Sequence, residues 1–194
     1  MKQMTLSQYR TIDLGILLGV LAVSQFFISV ATYQWFPDQL YVVSPAAAIT
    51  ALVMMRWGGW AAIHAASAGL LFSWLSGGGW QQFLIYGAGN LAALAALPVL
   101  RKLGKERVRK DVLLSLGFGL GVQVLMQLGR GVLAMILGFG WEAALGFITT
   151  DSLSVIFTLF ITWIVRQADG LFEDQKHYLL RLQSEHQNEG REQF

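Results

Sequence analysis

The sequence predicts an all-α integral membrane protein: a bundle of six transmembrane helices followed by a cytoplasmic C-terminal amphipathic helix. Of its 194 residues, 55% are hydrophobic and 13% are charged, whereas about a quarter of the residues in a soluble domain are charged. Apolar runs of about 20 residues, the length a helix needs to cross a hydrocarbon core of about 30 Å, recur along most of the chain. Short blocks of alternating polarity, which are typical of membrane barrels, are absent from the sequence.

Six hydrophobic segments are predicted to cross the membrane as helices, because a helix satisfies its own backbone hydrogen bonds where no water is present. The N-terminal stretch lacks a small-residue cleavage site after a short apolar region, so the first segment is expected to remain as a span. The second segment carries Pro45 near its start and is separated from the third only by "RWGG", which favours a tight helical hairpin. The spans are predicted at about residues 12–33, 41–56, 58–76, 80–101, 111–137 and 145–166, which gives a transmembrane domain over residues 1–166 and a tail over residues 167–194.

Basic residues in the connections predict the orientation of the bundle, since Lys and Arg in short loops favour the cytoplasmic side. They precede the first span, occur at Arg56 after the second, and fill the fourth connection, "RKLGKERVRKD". The connections around Asp38, residues 77–79 and Glu142 carry no basic residue. This alternation predicts a multi-pass protein of a bacterial-type inner (cytoplasmic) membrane with both termini in the cytoplasm. Tryptophans are predicted to mark the outer boundary at Trp35, Trp74, Trp80 and Trp141 and the inner one at Trp57, Trp60 and Trp163.

After Arg166 the composition becomes polar and charged. The apolar positions of this tail are spaced to form one helical stripe, which predicts an amphipathic helix of about four turns. Two roles remain open for it: a helix that lies on the membrane surface or packs under the bundle, or a docking or coiled-coil helix. The stripe consists of Ala168, Leu171, Phe172, Gln175, Tyr178, Leu179 and Leu182.

The stretch "VQVLMQLGRGVLAMIL" over residues 122–137 places an arginine inside a predicted span. Gln123, Gln127 and Arg130 are spaced to share one helix face, and Asp151 lies at a comparable depth in the next span. A charge near the membrane centre costs several kcal/mol, so this face should turn away from lipid and toward a partner.

Two interpretations of this polar face remain open, and they do not exclude each other. In the first, Arg130 and Asp151 form a structural lock, with Gln123 and Gln127 adding interhelical hydrogen bonds worth about 1 kcal/mol each. In the second, the face lines a polar pocket in the outer half of the bundle, where Arg130 meets an anionic or carbonyl group of a solute. Asn90, which comes from another span at outer or middle depth, supports the pocket.

Several function classes find no support in the sequence. The motifs H-E-x-x-H and G-x-S-x-G are absent, and we expect no enzyme activity and no nucleic-acid partner. The chain has no cysteine, and His64, His177 and His186 have no metal-ligand spacing, so neither a metal nor a cofactor is expected. An ATPase motif is also absent, so any active transport must draw its energy from elsewhere.

The segment "SPAAAITALVMMRWGGWAAIHAASAGLLFSW", followed by "GNLAALAALPVLRKLG", resembles the central hairpin and fourth helix of a known family. That family is the S components, the substrate-binding membrane subunits of energy-coupling factor (ECF) vitamin transporters. With the span count and orientation, the resemblance covers residues 12–166. It implies a subunit that captures a vitamin-like micronutrient outside the cell, for ATP-driven uptake powered by a coupling membrane subunit and two ATPase subunits.

Within this resemblance, the candidate substrate-binding residues are Arg130, Gln127, Gln123, Asp151 and Asn90. The resemblance also implies a surface of small residues on the first helix where the coupling subunit docks. The family usually has alanines there, and this chain has Gly15, Gly19 and Ala22. The alternative functions are a membrane sensory or input module that signals through a partner, to which the helical tail would serve as a stalk, and a scaffolding membrane protein.

Overall fold

The computed structural model describes residues 5–35, 43–149 and 151–181. These residues form helices joined by short turns and contain no strand, which confirms the all-α class. The last described residues, 175–181, are also helical. The α-helices are α1 (Leu6–Trp35), α2 (Ala46–Trp57), α3 (Ala61–Leu75), α4 (Trp80–Gly89), α5 (Ala96–Leu103), α6 (Lys105–Lys110), α7 (Val112–Ile136), α8 (Trp141–Thr149) and α9 (Ser152–Gln167), with 3-10 turns at Gly58–Trp60 and Asn90–Ala95.

Within the described residues, four helical stretches are long and apolar enough to cross a membrane. A fifth, α9, is apolar but shorter. The predicted number of six spans therefore stays a prediction. The four stretches are Leu6–Thr32, Ala46–Leu75, Trp80–Leu103 and Val112–Ile136.

The second stretch contains two helices that fold into a hairpin. Gly58 ends α2 with a φ of +62°, a conformation that favours glycine. The end of α2 and the start of α3 both meet α1 at the same level, because Arg56 donates to Asp13 and His64 lies 3.1 Å from the carbonyl oxygen of Leu14. The 12 residues of α2 and the 15 of α3 measure about 18 and 22 Å, so each leg is shorter than a hydrocarbon core of about 30 Å.

The third stretch changes helix type in its middle. Between α4 and α5 the backbone forms the 3-10 turn Asn90–Ala95. Pro98 lies in the first turn of α5 and has no N–H to donate back to the carbonyl of Leu94, which interrupts the α-helical hydrogen-bond pattern here. The predicted span over residues 80–101 is helical throughout, but this 3-10 turn was not foreseen.

The region of the predicted span over residues 145–166 is not one continuous α-helix, although the span itself stays a prediction. The structure divides this region into α8 and α9, with Asp151 in a turn directly before α9 and residue 150 outside the described residues. The backbone of Asp151 has φ −93° and ψ +15°, outside the helical range. Its carboxylate accepts hydrogen bonds from side chains of α7. Asp is also a weak helix former, because its short side chain competes for the hydrogen bonds of nearby backbone groups. The side-chain contacts therefore favour a break at this residue.

Several polar side chains are buried inside the bundle, beside an apolar core, and many large apolar side chains face outward. Gln25, Asn90 and Gln123 are buried, whereas Ile16 and Phe27 on α1 are exposed. Soluble proteins rarely expose large apolar patches, so this distribution fits a membrane-embedded protein. The described tryptophans with more than 40% exposure lie toward the two ends of the bundle: Trp35, Trp74, Trp80 and Trp141 at one end, Trp60 and Trp163 at the other.

Basic side chains gather at one end of the bundle, here called the basic end. Arg10, Arg56, Arg101 and Lys105 line a common cavity there. By the direction of the helices, this end is opposite the one that carries Trp35. The predicted cytoplasmic connections therefore meet at one end of the fold.

The predicted amphipathic helix from residue 168 is wrong over its first half, since residues 168–174 form turns and helix begins at residue 175. Gly170 has a φ of +72°, which does not continue a helix. The segment nevertheless packs under the bundle: Phe172 is 2% exposed, and Arg56 donates to the carbonyl oxygen of Gly170 at 2.7 Å. Leu182, the last residue of the predicted stripe, lies outside the described residues.

An ion pair ties this segment to α6. Lys105 Nζ lies 2.6 Å from Asp174 Oδ2. Burial alone would raise the pKa of Asp174, but the hydrogen bond and the charge of Lys105, together with backbone N–H groups of Lys176 and His177, outweigh it and hold the pKa below its ordinary value. The carboxylate therefore stays charged and bound at neutral pH.

Candidate functional site

A buried arginine on α7 organises the interior at the end of the bundle opposite the basic end. Arg130 donates from Nε to Asn90 Oδ1 at 2.7 Å and from one terminal nitrogen to Asp151 Oδ2 at 2.9 Å. Arg130 and Asp151 are each 4% exposed. The guanidinium also lies over the Tyr86 ring, 4.8 Å from its centroid. The expected pairing of Arg130 with Asp151 is therefore present, and the guanidinium faces the interior.

Further hydrogen bonds extend from this pair to neighbouring helices. Gln123 donates to Asp151 Oδ2 at 2.8 Å and accepts from the Thr158 hydroxyl at 3.3 Å. Asn90 donates to the carbonyl oxygen of Ala65 at 3.0 Å. The bonds join α3, the 3-10 turn, α7 and α9. The name polar cluster is used below for Arg130, Asp151, Asn90, Gln123 and Gln127.

Two polar atoms of the cluster have no hydrogen-bond partner among the residues that the structure describes. Among the described residues, neither Gln127 Nε2 nor Asp151 Oδ1 has a hydrogen-bond partner, and both atoms are buried. Gln127 itself is only 3% exposed. Buried polar atoms are nearly always paired, so an unpaired donor and an unpaired acceptor in one cluster call for an explanation. They are the two atoms of the cluster that a bound molecule could satisfy.

Close backbone contact brings the cluster together. A Cβ atom added to Gly89 would lie 2.9 Å from the backbone nitrogen of Arg130, and one added to Gly129 would lie 2.6 Å from Ala92 Cβ. The end of α4 and the start of the 3-10 turn can approach α7 this closely only because positions 89 and 129 are glycine. The absence of side chains at these glycines therefore allows Asn90 to reach Arg130.

The two irregular points of the backbone coincide with the cluster. Asn90 is the first residue of the 3-10 turn, and Asp151 lies in the break between α8 and α9. Helix discontinuities inside membrane proteins are tolerated where the backbone is buried in protein or lines a cavity, and in transporters they commonly form solute sites. The backbone thus departs from the α-helix at two residues that contact the guanidinium.

Charge within the cluster is balanced. Arg130 and Asp151 are its only charged members, so their formal charges cancel. In a low-dielectric interior this pairing offsets part of the large desolvation cost of each ion. Because the guanidinium already has a carboxylate, the cluster has no spare positive charge for an anionic solute.

Sequence reasoning missed the hydroxyl groups that border the cluster. Ser154, Thr158 and Thr162 are spaced four residues apart on α9 and are all buried. Ser44 N donates to Ser154 Oγ at 2.9 Å, and the Ser44 hydroxyl donates to Gln25 Oε1 at 3.2 Å. The four-residue spacing of hydroxyl residues was the signal that could have located this face.

The residues expected to dock a coupling subunit lie elsewhere. Gly15 and Gly19 are exposed on α1 and Ala22 is half-buried, and a Cβ atom at either glycine would meet nothing within 4 Å. They form part of an outer face that no other described helix covers closely. They do not belong to the polar cluster.

Comparisons of the chain with protein-family models, with curated proteins and with solved structures found no match. Among the described residues, no group of three His, Cys, Asp or Glu side chains could hold a metal ion.

The Gly129→Ala variant should lower the melting temperature of the detergent-solubilised protein. The added methyl group would push α7 away from Gly89 and weaken the bond between Arg130 and Asn90, which should lower the free energy of unfolding by about 1–3 kcal/mol. For a chain of this length, each kcal/mol lowers the melting temperature by roughly 2–4 °C. Gly121→Ala on the same helix is the matched control, because a Cβ atom there meets nothing within 4 Å. Equal effects of the two substitutions would show that the close approach at Gly129 is unimportant.

A double-mutant cycle on Arg130 and Asp151 should give a large coupling energy. Arg130→Gln or Asp151→Asn alone leaves one buried charge unpaired, which costs about 3–5 kcal/mol, whereas the double variant removes both charges and should recover much of the loss. Unfolding by denaturant in detergent measures each step. Arg107→Gln, at an exposed position, should change stability by less than about 0.5 kcal/mol. Strictly additive effects of the two buried substitutions would contradict the pairing.

Proposed function

We propose that the chain is the substrate-binding membrane subunit of an ECF-type importer, which captures a vitamin-like micronutrient from outside for ATP-driven uptake powered by separate subunits. The observation that supports this proposal is the polar cluster: a buried set of side chains from several helices that leaves one donor and one acceptor without partners among the described residues. The chain would bind the solute and carry out no chemistry on it.

If the cluster only stabilised the fold, every one of its donors and acceptors should be paired. Each unpaired buried polar group lowers the free energy of unfolding by about 1–3 kcal/mol, so a polar network is most stable when all of its groups are hydrogen-bonded. Here Gln127 Nε2 and Asp151 Oδ1 are buried and unpaired in the described part of the chain. A solute that pairs with both atoms would remove this cost when it binds.

The chemistry of the cluster favours a neutral polar solute over an anionic one. Asp151 already neutralises Arg130, so a solute carboxylate would compete with it and add an uncompensated charge. The free atoms fit a group with one acceptor, for Gln127 Nε2, and one donor, for Asp151 Oδ1, such as an amide or a ring lactam. Tyr86, which borders the guanidinium, adds an aromatic surface for a flat ring.

The proposed partners are a coupling membrane subunit and two ATPase subunits, in a bacterial-type inner membrane with both termini in the cytoplasm. The exposed face of α1 with Gly15, Gly19 and Ala22 is the proposed docking surface. A Cβ atom added to either glycine would meet nothing within 4 Å in the described part of the chain, and small residues on an open face let a partner helix approach closely.

A second candidate function is a membrane input module that signals through a partner. One observation favours it. Arg56 of α2 pairs with Asp13 of α1 at 2.6 Å and also donates hydrogen bonds to the carbonyl oxygens of Gly170 and Leu171. A movement of α2 relative to α1 would therefore be transmitted through Arg56 to the segment that follows α9. A scaffolding role has no comparable observation.

Replacing Gln127 by Leu should lower solute affinity about tenfold and leave the melting temperature within a few degrees of wild type. The substitution removes the unpaired amide, and the loss of one buried hydrogen bond to the solute is worth about 1.5 kcal/mol. Small molecules retained by the purified protein are identified by mass spectrometry, and the affinity of the one found is then measured by calorimetry. Gln81→Leu, at a half-buried position of α4, is the control. Wild-type affinity in Gln127→Leu would remove this residue from the site.

Co-purification distinguishes the two candidate functions. The tagged full chain, expressed in its native host, should be recovered with a coupling membrane protein and a pair of ATPases. Recovery with a histidine kinase and without ATPases would favour the input module.

A further inference from the structure

A large cavity opens at the basic end, far from the polar cluster. Its volume is about 960 Å³, the size of a small-molecule site. The start of α1, the turn after α2, α5 and the segment after α9 surround it. The lining residues include Leu6, Arg10, Trp57, Leu97, Arg101 and Lys176.

Positive charge in this cavity exceeds negative charge. Its acidic residues Glu173 and Asp174 are already engaged in ion pairs: Asp174 binds Lys105 at 2.6 Å, and Glu173 binds Arg109 and Arg181. The third acid of the lining, Glu106, pairs with Arg109 and Lys110 at 3.2 Å.

Three cations of the lining have no such partner. Arg10, Arg101 and Lys176 form no ion pair with any residue in the described ranges. Arg10 lies over the Trp60 ring instead, 4.6 Å from its centroid. They come from three separate elements, namely α1, α5 and the helix at residues 175–181. The cavity therefore presents uncompensated positive charge from three sides, which favours an anionic ligand.

The apolar part of the lining indicates the kind of anion. Leu6 is exposed at the start of α1, and Trp57 and Leu97 lie beside the basic side chains. A soluble phosphate has no apolar surface that could pack against these side chains. The glycerol and the first methylenes of a phospholipid would pack against them and bury apolar surface. Basic pockets between helices at the cytoplasmic membrane surface are typical sites for anionic lipid headgroups.

We propose that this cavity binds the phosphodiester headgroup of an anionic phospholipid, with Arg10, Arg101 and Lys176 as its charged contacts. The phosphate bridges α1, α5 and the segment after α9, three elements that form no ion pair with one another among the described residues. The lipid is thus a structural ligand of the basic end. This inference does not depend on which solute, if any, the polar cluster binds.

Native mass spectrometry of the full chain tests the proposal. The protein, purified in mild detergent, is titrated with phosphatidylglycerol and in parallel with the zwitterionic phosphatidylcholine. Wild type should retain phosphatidylglycerol preferentially and should melt at a higher temperature in its presence, because a ligand that binds only the folded state stabilises it. Equal retention of the two lipids would overturn the proposal.

The variant R10Q/R101Q/K176Q should lower the affinity for phosphatidylglycerol on the order of 100-fold. A matched pair of double variants shows whether the site or the general surface charge is responsible. R10Q/R101Q should lower the affinity about 30-fold, whereas K102Q/R107Q, which removes the same charge from exposed positions of the same end that neither line the cavity nor form an ion pair in the described ranges, should keep nearly wild-type affinity. An equal loss in both double variants would show attraction by the general surface charge and would overturn the site. Should the triple variant fail to fold, the three single variants are measured, and unchanged affinity in all three has the same meaning.

A soluble phosphate is distinguished from a lipid in the same experiment. Glycerol 1-phosphate at millimolar concentration should neither displace phosphatidylglycerol nor raise the melting temperature. If it stabilises the lipid-free protein as strongly as phosphatidylglycerol does, and if this effect is lost in R10Q/R101Q/K176Q, the cavity is a site for a soluble phosphate ester and the lipid assignment is wrong.

Discussion

A guanidinium buried among apolar helices must be surrounded by acceptors, and this requirement shapes the end of the bundle opposite the basic end. Arg130 obtains a carboxylate from the turn before α9 and an amide oxygen from the 3-10 turn after α4. Both partners leave regular helix at the residue that makes the contact. Glycines at 89 and 129 then allow the backbones to approach closely enough for the short Asn90 side chain to reach. Charge burial, helix irregularity and glycine placement are thus parts of one arrangement.

The two ends of the molecule use charge in opposite ways. The polar cluster balances its own charge through the Arg130–Asp151 pair and leaves one donor and one acceptor without a partner among the described residues. The basic end is wide and carries positive charge that its own acids do not compensate, so it suits an anion. Arg56 lies between α1 and the segment after α9 and links the hairpin to that end of the chain.

The all-α class, the inward-facing side of α7 and the pairing of Arg130 with Asp151 could be predicted, because each follows from residue spacing and from the cost of charge in hydrocarbon. The helix break at Asp151 could not be predicted, because it depends on side-chain contacts between helices rather than on the helix propensity of the local sequence. The helix predicted from the apolar stripe of the tail was wrong over its first half for a related reason. The spacing of apolar residues does not register a single glycine, and Gly170 has a positive φ that does not continue a helix. The contacts at Gly89 and Gly129 depend on how two helices cross, which spacing along one helix does not encode.

The central claim is that the Arg130 guanidinium is held inside the protein by fixed acceptors and shielded from solvent. Nitrogen-15 NMR of the arginine side chains in detergent micelles measures this directly, through the exchange of Nε–H protons with water. The Nε–H of Arg130, assigned by its loss in Arg130→Lys, should exchange much more slowly than that of the exposed Arg107, because it donates to Asn90 in a buried site. Exchange of the two protons at the same rate would contradict the account.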